Sequence, residues 1–355
     1  GNIIRFGTEK ITNWGDQSKL AIAFNDQVCL SRHRLDSFDD DCIILQESAW
    51  ENHEDPAIRK MYAEAMEEMS SKNYRFIGVP IEEETLKVVD NPQHGKNMFA
   101  LGLLAEIYQR DLSIIEKQIA HIFKKKPARV TELNVQLVKN GMEWARENLD
   151  FRFHVETIAP KDVRVVMNGN QASALGAVAA GMEMCAMYPI TPATSVSHEL
   201  AAFIESYGGI VHQAEDEIAA AGVALGASYG GKVALTVTSG PGMALKTEFL
   251  ALAIMTEIPM VVLDVQRGGP STGLPTKVEQ SDLLSSIYGQ PGDAPRVVIA
   301  PSSIDECFHS MVTARRIAET VRCVVIILTD ANLATGVQQF SKPEFDVRWQ
   351  QEPVD

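Results

Sequence analysis

Four polar or glycine-rich stretches each follow a strand-like apolar run, and each carries groups that could bind or activate an organic acid. The first is MYPITPATS, where Pro189 and Pro192 enclose Thr191 just before a helical pattern. Proline fixes φ and biases the preceding residue to extended geometry, so this stretch predicts a rigid turn. The Thr191 hydroxyl and the N–H groups of a helix start suit a carboxylate or phosphate. A rigid connection in which Thr191 only caps the helix fits the same pattern.

The second stretch is HQAEDEIAAAGVALGAS, in which Glu217 is the last of three acids before a small-residue helical pattern. Ala219, Gly222, Val223 and Gly226 share one helical face, which lets a backbone or a flat ligand approach closely. A carboxyl group at the edge of such a surface loses solvation, which favours its protonated form and would let it act as a general acid. An acidic residue that only complements the helix dipole is the alternative.

The third and fourth stretches supply a glycine turn and a fixed cation. TSGPGMALKTE (238–248) places Ser239, Gly240 and Gly242 between a strand and a helix, without the spacing of a dinucleotide site or a P-loop. DVQRGGPSTGLPTKVEQSDL (264–283) places Arg267 directly after a strand and ahead of a long glycine- and hydroxyl-rich loop. The planar guanidinium fork suits a carboxylate, although a buried structural ion pair would also explain it.

The elements that must position these four stretches alternate between strand and helix over residues 163–355. The strand-like runs are continuously apolar, as is typical of a parallel sheet covered on both faces. The sequence therefore predicts a doubly wound α/β domain, with the four stretches at one carboxyl edge of its sheet. The predicted strands are 163–167, 184–188, 209–213, 233–237, 260–264, 296–300 and 323–328, and the helices between them are 171–182, 195–207, 216–229, 243–255, 277–288 and 303–319.

Residues 1–150 predict a second, incomplete α/β domain, joined to the first by a linker over 151–162. Only three strands are clear in this half, and a run of three helices closes it. The strands are predicted at 20–24, 42–46 and 75–80, and the helices at 26–37, 56–72, 96–109, 112–124 and 130–148.

The composition excludes several classes of function. The chain has 355 residues, a formal net charge of −15 and a pI of about 5.0, which argues against nucleic acid or an anionic membrane as the main partner. None of its five cysteines forms a CxxC pair, and its eight histidines show no metal-ligand spacing. We therefore expect a cytoplasmic protein with no metal site of its own.

The four stretches, in this order, resemble the α subunit of 2-oxoacid:ferredoxin oxidoreductases over residues 163 to about 340. The resemblance implies a thiamine diphosphate-binding fold of the pyrimidine-binding type. The upstream sequence resembles the later part of the family's γ domain, and a γ domain fused ahead of α is typical of members that act on 2-oxoglutarate. The glycine-rich opening of a γ domain and a further α-subunit domain are not found in the sequence, so we expect a fragment of a longer subunit.

The resemblance also implies roles for individual residues. Glu217 matches the glutamate that bonds to the aminopyrimidine nitrogen of thiamine diphosphate and prepares the thiazolium carbon to lose its proton. Thr191 and Arg267 match the residues that hold the 1-carboxylate of the substrate. Lys277 would meet a distal carboxylate, or would be a solvated lysine at a helix start. The cofactor-binding set would be Tyr188, Pro189, Ile190, Glu217, Ser239, Gly240 and Gly242.

The resemblance implies that this chain needs a partner. The GDG…N signature for diphosphate and Mg²⁺ is absent from the sequence. In the family it belongs to a β subunit, which also holds Mg²⁺ and a 4Fe-4S cluster, in an assembly expected to be (αβ)2. The implied reaction is the coenzyme A-dependent oxidative decarboxylation of 2-oxoglutarate to succinyl-CoA, with electrons passed to ferredoxin. Another 2-oxoacid (pyruvate, a branched-chain acid or an arylpyruvate), or a docking subunit without catalysis, stays open as an alternative.

Overall fold

A computed structural model describes residues 2–7, 11, 13–156, 158–159 and 161–350. The chain divides into two compact units, Gly1–Ile158 and Ala159–Asp355. In the first unit, strands β1, β2 and β3 form a parallel sheet in the order β1-β2-β3. Its elements are β1 (Ser18–Ala23), α1 (Asp26–Arg34), β2 (Phe38–Glu47), α2 (Pro56–Met69), β3 (Arg75–Val79), α3 (Ile81–Leu86), α4 (Lys96–Ile107), α5 (Leu112–Ile122) and α6 (Ala128–Asn148).

The core of the first unit lies on both faces of this sheet. Side chains from α4 and α6, among them Phe99, Leu103 and Ala145, pack with Leu45 of β2. The two helices approach so closely that a Cβ on Gly102 would lie 2.2 Å from the Val138 carbonyl oxygen. Only glycine permits this approach, which explains why an apolar helix carries one.

The second unit is built on a six-stranded parallel sheet with helices on both faces. The strand order is β6-β5-β7-β8-β10-β9. The strands are therefore added to one side of β5 at β6 and to its other side from β7 onward. Its elements are β4 (Arg164–Asn168), α7 (Gly169–Ala179), β5 (Met184–Met187), α8 (Thr194–Phe203), β6 (Ile210–Gln213), α9 (Glu217–Tyr229), β7 (Ala234–Thr238), α10 (Gly240–Leu245), α11 (Thr247–Met255), β8 (Met260–Gln266), α12 (Leu283–Tyr288), β9 (Val297–Ile299), α13 (Ile304–Val321), β10 (Val324–Asp330), α14 (Ala331–Thr335) and β11 (Val337–Ser341).

The doubly wound α/β fold predicted for the second unit is confirmed, and the strand predicted at 163–167 forms at Arg164–Asn168, but its expected place in the sheet is wrong. The strand predicted at 163–167 does not join the parallel sheet, because β4 pairs antiparallel with β11 in a separate two-stranded sheet. Its residues are only partly buried, unlike the fully buried central strands β7 and β8. An apolar run alone did not distinguish the two cases. The pairing strand β11 was not predicted at all.

The helix predicted at 277–288 begins only at Leu283. The side chains of residues before Leu283 form hydrogen bonds to other segments, and their backbone does not continue a helix. The Glu279 carboxylate accepts a hydrogen bond from the Gly269 N–H at 2.8 Å, and the Gln280 amide donates to the Asp330 carboxylate at 2.6 Å. Lys277 therefore lies in a loop and not at a helix start. The predicted helix at 243–255 is likewise two helices, α10 and α11, that meet at Lys246.

Candidate functional site

The register of the parallel sheet brings the predicted stretches to one edge. Met187 pairs with Gln213 on one side and with Val237 on the other, and Thr238 pairs with Asp264. The strands β6, β5, β7 and β8 therefore end close together. Their carboxyl ends carry the Thr191 turn, the start of α9, the 239–242 turn and Arg267, which is the edge where open α/β sheets bind ligands.

The Thr191 turn is held by hydrogen bonds from outside its own sequence. Arg267 donates from Nη1 to the Thr191 carbonyl oxygen at 2.6 Å. From α7, Asn170 donates to the Pro192 carbonyl oxygen at 2.9 Å and to the Ser195 hydroxyl at 2.6 Å. The Thr191–Pro192 peptide bond is cis, and the cap residue of α8 is Ala193, so Thr191 does not cap that helix. Thr191 is exposed at the edge of the sheet, with its backbone fixed.

The three residues that precede Thr191 are partly exposed to solvent. Tyr188 and Pro189 are exposed and Ile190 is half-buried. Ile190 is fixed through its carbonyl oxygen, which accepts from the Thr194 hydroxyl at 3.0 Å. The three residues therefore line the same edge as Thr191, on a segment whose backbone is restrained at both ends.

Arg267 is 6% exposed and is shared between two loops. Besides its bond to Thr191, it donates from Nη2 to the Thr272 carbonyl oxygen at 2.6 Å. Its Nε–H is buried and has no hydrogen-bond partner in the described part of the chain. The guanidinium has five N–H donors, so these two bonds leave capacity for an anion. An intramolecular ion pair for Arg267, which the sequence left open, is not among the contacts of the described residues.

Glu217 opens α9 and packs directly on the turn that follows β7. Asp216 caps the helix by accepting a hydrogen bond from the Ala219 N–H at 2.7 Å. A Cβ on Gly242 would lie 2.7 Å from Glu217 Cγ and 3.1 Å from its Oε1, so only glycine leaves room for this carboxyl group. Glu217 is 9% exposed. The structure thus brings Glu217 together with the Gly242 turn, as the sequence predicts.

The turn after β7 presents an unsatisfied hydroxyl. Ser239 is fully buried and its Oγ has no hydrogen-bond partner among the described residues, although it occupies the cap position of α10. Gly240 lies against Asp282, because a Cβ there would be 3.0 Å from the aspartate Oδ2. Buried hydroxyls are normally paired, so the bare Ser239 Oγ indicates room for a polar ligand atom.

Lys277 lies apart from these buried groups. It is exposed, and its backbone N–H donates to the Leu274 carbonyl oxygen at 2.9 Å while its own carbonyl accepts from Gly268 at 2.9 Å. The bridge between Gly268 and Leu274 closes the loop on itself. Lys277 is therefore an exposed residue of the folded loop that begins directly after Arg267. Its contact with the distal carboxylate of a substrate remains a prediction.

Three functional candidates escaped the sequence analysis. Lys246 and Asp264 are both fully buried, and Asn170 of α7 holds the Thr191 turn through the Pro192 carbonyl oxygen, 22 residues further along the chain. A signal for one of them was present, since Asp264 is the single charge inside the apolar run MVVLDVQ. Lys246 gave no such signal, because it lies two residues before Glu248.

Among the described residues, no cluster of three metal-ligating side chains occurs, and no helix has the length and apolarity needed to span a bilayer. The five cysteines are unpaired, and burial raises the pKa of Cys185 and of Cys307 to about 12. These two thiols are therefore neutral at physiological pH and are poor nucleophiles.

Comparisons with known proteins define the class. Residues 175–353 match the family described as pyruvate flavodoxin/ferredoxin oxidoreductase, thiamine diP-binding, and residues 3–144 match the family described as pyruvate ferredoxin/flavodoxin oxidoreductase. The chain belongs to the pyruvate flavodoxin/ferredoxin oxidoreductase family, as its motifs predict.

Two individual relatives have more specific names than the matched families. The chain is 44% identical over 261 residues to the 2-oxoglutarate oxidoreductase subunit KorA of Mycobacterium tuberculosis, which covers 71% of this chain and 40% of the relative. It is 42% identical over 189 residues to the 2-oxoglutarate synthase subunit KorA of Methanothermobacter marburgensis, covering 53% of this chain and 50% of the relative. The chain therefore spans about half the length of such relatives or less.

A solved structure agrees over nearly the whole chain. The 2-oxoglutarate:ferredoxin oxidoreductase from Magnetococcus marinus, with 2-oxoglutarate, coenzyme A and succinyl-CoA bound, superposes with a TM-score of 0.82 at 34% identity. The match covers 95% of this chain and 56% of that one. Both units of the chain thus have their counterparts in one enzyme of known structure.

Proposed function

We propose that the chain is part of the α subunit of a 2-oxoglutarate:ferredoxin oxidoreductase, which converts 2-oxoglutarate and coenzyme A to succinyl-CoA and carbon dioxide and passes two electrons to ferredoxin. The observation that carries the proposal is the convergence of Glu217, the Gly242 turn, Thr191 and Arg267 at one sheet edge of a thiamine diphosphate-binding family member. The substrates named for the relatives support 2-oxoglutarate over other 2-oxoacids.

The residues at this edge fit the aminopyrimidine end of thiamine diphosphate. Gly242 keeps the space beside the Glu217 carboxyl group open. The buried Ser239 hydroxyl has no hydrogen-bond partner among the described residues, and a polar ligand atom could supply one. We assign Glu217 as the catalytic acid and base, with Tyr188, Pro189, Ile190, Ser239, Gly240 and Gly242 as the cofactor-binding set. When bound, thiamine diphosphate supplies the carbon nucleophile and the electron sink for decarboxylation.

Each residue of the chain then has a defined task. Glu217 holds or accepts one proton at its carboxyl group, which burial keeps away from bulk water. Thr191 and Arg267 bind the 1-carboxylate, the first by its hydroxyl and the second by the guanidinium donors that its loop contacts leave over. Because the Thr191 backbone is fixed from β8 and from α7, the substrate would be held still against the reacting centre. Lys277 is proposed to meet the distal carboxylate.

The proposal requires a partner subunit. We place the diphosphate- and Mg²⁺-binding groups and the 4Fe-4S cluster on that subunit, since the GDG…N signature for diphosphate and Mg²⁺ is not in this sequence. We further propose an (αβ)2 assembly in the cytoplasm. Ferredoxin is the proposed electron acceptor, and coenzyme A the acyl acceptor.

A panel of 2-oxoacids tests the proposal. The full-length chain is co-expressed with its partner subunit, and reduction of a viologen dye is followed with thiamine diphosphate and Mg²⁺, with and without coenzyme A. We expect 2-oxoglutarate to support coenzyme A-dependent reduction, and pyruvate, branched-chain and aryl 2-oxoacids to support little. Reduction with a different acid would correct the substrate. No reduction by a complex shown to hold the cofactor and its cluster would overturn the proposal.

A further inference from the structure

Lys246 and Asp264 are buried titratable side chains of the second unit that have no part in the proposed chemistry. Lys246 is 0% exposed, and its Nζ donates a hydrogen bond to the main-chain carbonyl oxygen of Glu217 at 3.0 Å. Asp264 on β8 is also 0% exposed, and neither of its carboxylate oxygens has a hydrogen-bond partner in the described part of the chain. Burial of such charges opposes folding unless they are well paired, so the stability of the fold does not explain them.

The turn of chain from Gly242 to Lys246 contacts Glu217 from both of its ends. At one end, Gly242 lies against the Glu217 side chain, and at the other, Lys246 binds the Glu217 backbone. The Lys246 N–H is itself bonded to the carbonyl oxygens of Gly242 and Met243, both at 3.2 Å, which closes α10 and aims the lysine inward. The first turn of α9 is therefore fixed from α10 as well as by its own cap.

The charges that face Lys246 come from three elements. Glu217 and Asp216 face it from α9, Cys185 from β5 and Asp264 from β8. Burial lowers the pKa of Lys246 to about 8, and these four groups oppose that fall. Lys246 is therefore still mostly protonated at neutral pH and is a cation in apolar surroundings.

Asp264 is no simple counter-charge to Lys246. Burial raises the pKa of Asp264 well above its ordinary value, the neighbouring Asp282 raises it further, and Lys246 opposes the rise. Burial also raises the pKa of Asp282. Burial therefore favours the neutral forms of both aspartates over the charged forms that would pair with a lysine.

We propose that Lys246 is a positioning residue for Glu217: its ammonium group binds the main-chain carbonyl oxygen of Glu217 and fixes the first turn of α9, so that the Glu217 carboxyl group is held against the Gly242 turn. The inference rests on the proposed function, in which Glu217 must both give and accept a proton. Proton transfer requires the carboxyl group to be held within hydrogen-bond reach of its partner, so the placement of the first turn of α9 matters. Lys246 acts only through Glu217.

The test replaces Lys246 in the assembled enzyme with Met, Gln and Arg. We expect Lys246→Met to lower kcat about tenfold or more, with the KM for 2-oxoglutarate changed less than about twofold. Lys246→Gln has an N–H donor on a shorter side chain, and should lower kcat as Lys246→Met does. Lys246→Arg keeps a long side chain with N–H donors, and should restore most of kcat.

A second readout does not depend on turnover. In the enzyme without thiamine diphosphate, hydrogen exchange of the backbone amides at 218–221 should become faster in Lys246→Met than in the wild type, while exchange in β10 should be unchanged. The matched control is Lys342→Met, which removes an exposed lysine from the same unit and should change neither readout.

The outcomes separate the inference from the proposed function. An inactive wild-type complex would contradict the proposed function. The exchange measurement would still test the positioning role of Lys246. An active wild type in which Lys246→Met and Lys246→Gln leave both kcat and the exchange of α9 unchanged would overturn the inference alone. If Lys246→Met does not assemble, Lys246→Gln and Lys246→Arg decide it, because only arginine keeps a side chain long enough to donate to the Glu217 carbonyl oxygen.

Discussion

Two buried acids, one in each unit, are treated in opposite ways by the fold. Glu47 ends β2 and is fully buried, and its two oxygens accept hydrogen bonds from the N–H groups of Ala49 at 3.0 Å and Glu82 at 2.9 Å. Asp264 lies near the end of β8, is equally buried, and accepts none from the described residues. Glu47 thus links the end of its strand to Ala49 and to the first turn of α3, which is a structural role.

The two carboxyl groups differ in how their burial is compensated. Burial raises the pKa of both carboxyl groups, but the two N–H groups and the nearby Lys96 counteract the rise at Glu47. In the described part of the chain, Asp264, the Ser239 hydroxyl and Arg267 Nε of the second unit lack hydrogen-bond partners, as does the Gln46 amide beside Glu47 in the first. Unsatisfied groups that cluster beside a catalytic candidate are typical of sites prepared for a ligand or for proton transfer.

The largest expected effect comes from Glu217→Gln. The amide keeps the size of the side chain but cannot carry the proton, so turnover in the assembled enzyme should fall about a thousandfold with the unfolding temperature nearly unchanged. The matched control is Glu215→Gln, which alters an exposed acid two residues earlier and should leave turnover normal. Near-normal turnover in Glu217→Gln would show that the catalytic acid lies elsewhere.

Arg267→Lys should give the next largest effect. A lysine retains the charge but cannot bond to the Thr191 and Thr272 carbonyl oxygens and bind a carboxylate at the same time. We expect the KM for 2-oxoglutarate to rise about tenfold to a hundredfold, which corresponds to about 1.5–3 kcal/mol. Steady-state kinetics measure it, with the exposed Arg316→Lys as control. A KM equal to that of the wild type would remove Arg267 from the substrate site.

Glu47→Gln and Asp264→Asn compare the two acids directly. In Glu47→Gln, an NH2 donor replaces one of the two acceptor oxygens and faces a backbone N–H group. The free energy of unfolding should therefore fall by about 1–3 kcal/mol. Asp264→Asn has no such bond to lose and should cost less at neutral pH. Denaturant unfolding of both variants, with the exposed Glu54→Gln as reference, measures the difference. The comparison fails if Asp264→Asn is the more destabilising change.

The smallest effect is the pH dependence of Asp264→Asn. Because the pKa of Asp264 is raised in the folded protein, the native state holds a proton that the unfolded chain releases above its ordinary value. The stability contributed by Asp264 is thus present at low pH and is lost as pH rises, whereas asparagine does not titrate. Between pH 5 and 6, Asp264→Asn should gain stability relative to the wild type by up to about 1.4 kcal/mol. A constant difference across this range would contradict the raised pKa.

The sequence predicted the fold of the second unit because its central strands are long, apolar and separated by regular helices. The same reasoning placed Thr191, Glu217, Gly242 and Arg267 after successive strands, where the sheet register brings them to one edge. It failed where pairing is not local. The antiparallel pairing of β4 with β11 joins segments about 170 residues apart, which no local pattern encodes.

The contacts that fix the site could not be predicted for the same reason. Asn170, Lys246 and Asp264 act on residues of other elements, and their contacts follow from packing and not from spacing. The start of α12 was also missed, because Glu279 and Gln280 satisfy groups of the preceding loop and of Asp330 instead of continuing a helix. Where side chains compete with the backbone for hydrogen bonds, helical periodicity alone does not predict where a helix begins.

The most direct test of the central claim is proton exchange at the C2 carbon of bound thiamine diphosphate, because it isolates the step assigned to Glu217 from substrate binding and electron transfer. The assembled enzyme is placed in deuterium oxide, quenched in acid at set times, and the residual C2 proton is measured by NMR. We predict that Glu217→Gln slows the exchange about a hundredfold or more, while Glu215→Gln exchanges at the wild-type rate. Exchange in Glu217→Gln as fast as in the wild type, with the cofactor bound, would contradict the account.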